Sequence, residues 1–205
     1  MRRRLILAVV IVGVLAASLG RARLTHAFAR TLVCDGTPAP AEAVIIDNFD
    51  NNFGVFRETA VLQRGASPRR IFVPVVESED GDSAMAAREV ANVFARMAGL
   101  SHWDVIDGPD YEPISLNVAQ RLRDALEGAH ISSVVVVSAV FRSKRSEIIY
   151  RSVLGERGIT VSCVPVLGGT RPENWTGSWH GIEDVTLQFA KLQYYRLWVM
   201  PLRRH

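Results

Sequence analysis

The stretch Ser138–Ser146 (SAVFRSKRS) follows directly on the apolar run Ser133–Val137 and places Arg142, Lys144 and Arg145 in what reads as the first turn of a helix. Arg142 and Arg145 are three positions apart, which puts them on one helix face as forked donors suited to phosphate or carboxylate. A helix amino terminus already favours an anion through its N–H groups and dipole. Cations there are disfavoured, so three of them either ask for an anionic partner or form a solvated basic turn. Two carboxylates stand out beside them, Asp47 after the apolar run Ala43–Ile46, and Glu112 in Glu112-Pro-Ile-Ser115-Leu-Asn117. Glu112 is a candidate general base or hydrogen-bond acceptor, and Ser115 a candidate N-cap for a helix from Leu116. Asp47, Asn48 and Asp50 read either as turn formers or as oxygens for a hydroxyl or divalent cation. Arg57, Asn117 and Ser138 complete the candidate ligand-binding set.

Other chemistries lack their residues. No G-x-x-x-x-G-K-[ST], G-x-G-x-x-G, G-x-S-x-G or H-E-x-x-H occurs, and the five His do not cluster. The two Cys, Cys34 and Cys163, form no C-x-x-C; two buried thiols are the expected state and a single disulfide the alternative. Asn174-Trp-Thr176 matches a glycosylation acceptor by chance. No cofactor and no metal site is indicated.

The elements that must position these residues alternate along the chain. Ala43–Ile46, Arg70–Val76, Asp104–Ile106, Ser133–Val137 and Ile159–Val164 read as strands, with Pro74 limiting the pairing of the second. Helical spacing runs over Phe56–Arg64, Asp82–Met97, Leu116–Leu126, Ser143–Leu154 and Ile182–Trp198. In the second of these, Met85, Val90, Val93, Phe94 and Met97 are expected to face the core. Ser133–Val137 is apolar on both faces, as at the centre of a parallel sheet. The order predicts α/β architecture: an open, mainly parallel sheet of about five strands with helices on both faces. Ligands of such sheets bind beyond the carboxyl ends of the strands, where the candidate residues fall. Tyr194, Tyr195 and Trp198 at the end of the last helix either pack on the sheet or form an aromatic belt at a membrane surface.

The 205 residues are 48% hydrophobic and 22% charged, as for one globular domain. The net charge of +3 is unevenly spread. Residues 1–30 hold six Arg and no acid, so residues 31–205 hold 24 − 6 = 18 basic and 21 acidic groups, a net −3. A nucleic-acid reader carries its basic stripe on the fold, so no nucleic-acid partner is expected. The first residues, MRRR, precede the uncharged 15-residue run Leu5–Leu19. That is shorter than the roughly 17–20 residues of a comfortable span and reads as a signal or, extended to Leu24, as an uncleaved membrane anchor. The expected organisation is an anchor over 1–24, a linker over 25–42 and the α/β domain over 43–205, with that domain outside the cytoplasm.

From Ala43 to about Val166 the chain resembles the bacterial YdcF/SanA/ElyC-like family. The pieces that carry the resemblance are 43-AVIID-47, 56-FRETAVLQRGASPRRIFV-73, 112-EPISLNVAQRLRDAL-126 and 134-VVVVSAVFRSKRS-146. The third is similar to the family's Glu-x-x-Ser-x-Asn-Thr motif and the fourth to its Ser/Thr-x-x-Tyr-His-x-x-Arg. Glu112, Ser115, Asn117, Ser138 and Arg145 fall on motif positions. The family's His falls at Arg142, its Thr at Val118, and its glycine-rich turn at 47-DNFDNNFG-54. The resemblance implies a Rossmann-like fold, a single-pass anchor in the bacterial plasma membrane with the domain on the periplasmic side, and a part in envelope integrity or lipid-carrier metabolism. The expected ligand is an anionic small molecule or a polyprenyl-phosphate-linked glycan. Arg142 and Arg145 would hold its phosphate, and Glu112 or Asp47 would be the acid/base. A non-catalytic envelope sensor, or an S-adenosylmethionine-binding protein if the domain is cytoplasmic, are the alternatives.

Overall fold

The computed structural model describes residues 20–37, 39–49, 52–65, 70–77 and 81–203. The run Leu5–Leu19, Asp50 and residues 1–19 of the anchor expected over 1–24 lie outside them. Among the described residues no helix is long and apolar enough to cross a membrane.

Five strands form one sheet: β1 (Ala43–Ile46), β2 (Arg70–Glu77), β3 (Asp104–Pro109), β4 (Ser133–Ala139) and β5 (Thr160–Val166). Their order is β3-β2-β1-β4-β5, and every pairing is parallel. The architecture is α/β and consistent with a Rossmann-like fold. β1 is the middle strand and β4 lies beside it. Both carry unbroken apolar runs, which is why the sequence pattern alone does not order them. Pro74 sits in β2 beyond the point where β1 stops pairing, at Ile45↔Phe72, so its missing N–H leaves only the β3 side to satisfy.

Side chains alternate across the sheet. Ala43, Ile45, Val134, Val136 and Val161 pack on one face against α4 (Ile114–Gly128) and α5 (Ser143–Gly155). Val44, Ile46, Val135, Val137, Val164 and Val166 pack on the other against α2 (Phe53–Arg64) and α3 (Gly81–Ala98). The inward stripe of α3 is Ala91, Phe94, Ala95 and Ala98, whereas Met85, Val93 and Met97 are exposed. Small residues let this helix lie close to β2, and that turns the methionines outward. Gly108 serves the same end on the opposite face, since a Cβ there would collide with Val118 of α4.

Residues 20–30 form a helix, α1. It does not behave as a linker: Ala29, Leu32 and Val33 are buried in a third cluster with Val140, Phe141, Val185 and Leu192, and Cys34 is buried next to them in the chain. Cys34 is disulfide-bonded to Cys163 of β5, in place of the two thiols expected. The last helix, α6 (Trp179–Tyr194), continues through a wider π-helical turn at Tyr195–Val199 into α7 (Met200–Arg203).

Candidate functional site

Asp47 stands one residue beyond β1, its N–H donating to Val137 O of β4 at 2.9 Å. Its side chain is 0% exposed, so it is neither a turn former nor open to a ligand. Oδ2 accepts from Ser138 Oγ at 2.6 Å, Ser146 Oγ at 2.5 Å and Arg142 Nε at 2.9 Å. Ser138 lies near the end of β4, while Arg142 and Ser146 lie on one stripe of α5 and its approach; Tyr150, a turn further along that stripe, makes no hydrogen bond among the described residues, and its phenol is buried. Burial first, then the nearby Asp47 carboxylate, raise the Tyr150 pKa well above the ordinary tyrosine value, with Arg142 opposing.

Arg142 thus has an internal anion, and the basic first turn is not left to find one outside. Its guanidinium also donates from Nη2 to Ser115 Oγ at 3.2 Å and lies over the Phe49 ring at 4.2 Å. Lys144 turns away to Glu147 at 2.7 Å, a buried carboxylate also met by Arg151 at 3.0 Å. The N–H groups expected to cradle an anion are engaged within the protein: Arg142 N with Ala139 O, Lys144 N with Leu32 O and Ser146 N with Arg142 O.

Arg145, 4% exposed, donates to Gln188 Oε1 of α6 at 3.1 Å and lies 5.8 Å from the Tyr195 ring centroid. The Tyr195 hydroxyl accepts the Ser115 N–H at 3.2 Å, linking the π turn to the start of α4. Ser115 is therefore not the N-cap. The helix begins at Ile114 after a cis Glu112–Pro113 peptide, and Glu112 Oε2 accepts the Ile114 N–H at 3.3 Å.

Two adjoining depressions open over these residues and share Arg142 and Lys191. One, about 290 Å³, is bordered by Arg142, Arg145, Lys191, Asp110, Glu112 and Tyr195, among others. The other, about 630 Å³, lies where β1 and β4 diverge to opposite crossovers, with Asn52, Phe53, Phe141, Gly168, Gly169 and Gln188 on its walls. That crevice is the usual ligand position of such sheets.

Arg142, Arg145, Ser115 and Glu112 border one depression. Ser138 joins them only through Asp47. Asn48 is buried on another side of β1, beside Pro74 and Val75. Arg57 is exposed on α2 and borders neither depression. Asn117 donates to Tyr111 O at 2.8 Å and holds its loop. Lys191, Gln188 and Tyr195 went unforeseen because they lie on the last helix. A polar Gln188 within the inward stripe Gly181, Val185, Leu192 was the signal available. Among the described residues no group of three or more His, Cys, Asp or Glu is placed to hold a metal ion.

No protein-family model, no curated protein and no solved structure matches the chain.

Proposed function

We propose that this protein is a membrane-attached envelope protein, similar to the YdcF/SanA/ElyC-like family, whose cleft binds an anionic, phosphate-bearing ligand such as a lipid-carrier-linked glycan. The observation that carries this reading is the convergence of Arg142, Arg145 and Lys191 from α5 and α6 on one cavity at the carboxyl end of the sheet. Arg142 is balanced by Asp47 beneath it, Arg145 and Lys191 face Asp110 and Glu112 across the cavity, and guanidinium groups suit phosphate oxygens. The role of Asp47 in this reading is positional: it fixes Arg142 from beneath and touches no ligand. Glu112, exposed at the rim, is the carboxylate with the access that proton transfer needs. The Cys34–Cys163 disulfide supports a location outside a reducing cytoplasm, which disfavours S-adenosylmethionine as ligand.

A binding module without turnover draws on one further observation, that the best-placed carboxylate, Asp47, is sealed from the cleft. Equilibrium binding of a polyprenyl phosphate and of a sugar nucleotide to the full chain in detergent tests the reading. Arg145→Ala is expected to weaken binding about 10- to 100-fold, the loss of one charge-assisted hydrogen bond. Equal affinity of wild type and variant would remove the site from this cleft.

A further inference from the structure

The last helical run has two faces. Gly181, Val185, Gln188, Leu192, Tyr195 and Val199 face inward. On the opposite side Trp179, Leu197, Trp198 and Leu202 each expose between 64% and 74% of their surface, and Leu187 and Tyr194 are also exposed. Scattered apolar residues on a surface need no explanation, but two tryptophans, a tyrosine and three leucines on one helical run do.

Charge says what covers them. Residues 179–205, the α6–α7 run and its end, contain Lys191, Arg196, Arg203 and Arg204 against Glu183 and Asp184, a net +2. Residues 31–178 contain the other 24 − 6 − 4 = 14 basic groups and 21 − 2 = 19 acidic ones, a net −5. Net positive charge is thus found only at the two ends of the chain, and the fold joins those ends. Phe28 of α1 packs on Phe189 of α6 at 4.9 Å, and Trp175 Nε1 donates to Thr25 O at 3.0 Å. Arg21, Arg23, Leu24 and Arg30 are exposed on that same α1. The uncharged run Leu5–Leu19, outside the described residues, ends where α1 begins, at Gly20.

We infer that the outer face of α6–α7 docks in the plane of an anionic lipid surface, with Trp179, Tyr194, Leu197, Trp198 and Leu202 in the interface and Arg196 at the headgroups, while Arg203 is held inward by Glu156 at 2.7 Å and Ser152 at 3.2 Å. Aromatic rings with polar edges settle at that level, and basic side chains add attraction to anionic lipid. Leu187, Tyr194 and Lys191 also border the cleft, so docking brings its mouth to the lipid headgroups. The inference rests on the membrane attachment proposed above and not on the cleft's ligand.

The test is quenching of tryptophan fluorescence by brominated phospholipid, with the full chain in vesicles containing or lacking phosphatidylglycerol; flotation reports attachment. The chain has four Trp, of which Trp103 and Trp175 are partly buried. Anionic vesicles are expected to quench and blue-shift the emission, and Trp179→Phe with Trp198→Phe to abolish that component. Arg196→Glu is expected to reduce it while flotation persists. Floated chain with no quenching of Trp179 and Trp198 overturns the inference, as does failure to float. A blue shift that depends on protein concentration without lipid also overturns it, in favour of a second copy on this face. Binding of sugar nucleotide in the cleft is a separate measurement, so its failure and this one are told apart.

Discussion

Asp47 and Arg142, 95 positions apart, form a buried ion pair in which Arg142 Nε donates to Asp47 Oδ2 at 2.9 Å. The pair joins the carboxyl end of β1 to the amino end of α5. Two hydroxyls, Ser138 and Ser146, also donate to Oδ2, whereas Oδ1 is buried with no hydrogen-bond partner among the described residues.

Removing one member leaves the other charged and buried. Asp47→Ala is therefore expected to cost about 3–5 kcal/mol in urea unfolding. Replacing both, Asp47→Leu with Arg142→Met, is expected to cost less than the two single changes summed. A loss for Asp47→Ala within about 0.5 kcal/mol, the range of ordinary surface changes, would show that the pair is not closed in solution.

Tyr150 makes the alkaline limb of stability. Its phenol is neutral when protonated, and burial raises its pKa in the fold above the ordinary 10.0. The unfolded chain then ionises first. Stability is unaffected by this group below pH 10 and falls as pH rises beyond it. Tyr195, raised chiefly by burial, acts with the same sign. The Tyr150 hydroxyl has no hydrogen-bond partner among the described residues, so Tyr150→Phe is expected to leave stability at pH 7 unchanged and to flatten the slope above pH 10. Circular dichroism melts at pH 7 to 11 decide; parallel slopes for both proteins refute it.

The acid limb has a different source. Glu42, just before β1, accepts the Ser132 N–H at 2.6 Å and the Ser132 hydroxyl at 3.0 Å. The backbone hydrogen bond chiefly, then the hydroxyl, lower its pKa below 4.5. Its contribution is present above that value and is lost as pH falls through the lower folded one. Glu42→Gln is expected to make stability less steep in pH below 4.5, and an unchanged slope would assign the acid limb elsewhere.

Reducing Cys34–Cys163 should cost about 2–5 kcal/mol, mainly by freeing a long loop in the unfolded chain. It should also loosen the segment that caps α5, where Cys34 N donates to Ser143 Oγ at 3.0 Å and Lys144 N to Leu32 O at 3.0 Å. Hydrogen exchange at the Lys144 amide reports this directly. Protection that survives reduction would mean that packing of Leu32 and Val33 alone holds the segment.

The strands were legible because each is an apolar run between turn residues. β1 has the bounds its four residues suggest, and β4 only gains Ser138 and Ala139. β3 runs on through Asp107, Gly108 and Pro109, turn-forming types that the parallel pairing with Val75–Glu77 holds extended. At the site, residue types near the strand ends pointed to Arg142, Arg145, Ser115 and Glu112. Their partners did not show, because Asp47–Arg142 and Arg145–Gln188 are contacts between elements far apart in sequence. The disulfide was hidden for the same reason, as a separation of 129 residues carries no geometric signal. Ser115 was misread as a cap because α4 begins at Ile114, after Pro113 in the N-cap position, two residues earlier than the apolar pattern implies.

The central claim is that Arg142, Arg145 and Lys191 form an anion site. Inorganic pyrophosphate titrated against thermal unfolding of the full chain tests it most directly. At about 100 times Kd a ligand bound only by the folded state adds about 2.7 kcal/mol. Wild type is expected to rise in Tm accordingly, and the double variant Arg145→Ala, Lys191→Ala to show no rise, with Arg142 left in place to keep its pair with Asp47. A Tm that pyrophosphate leaves unmoved in wild type, or raises equally in both proteins, contradicts the account.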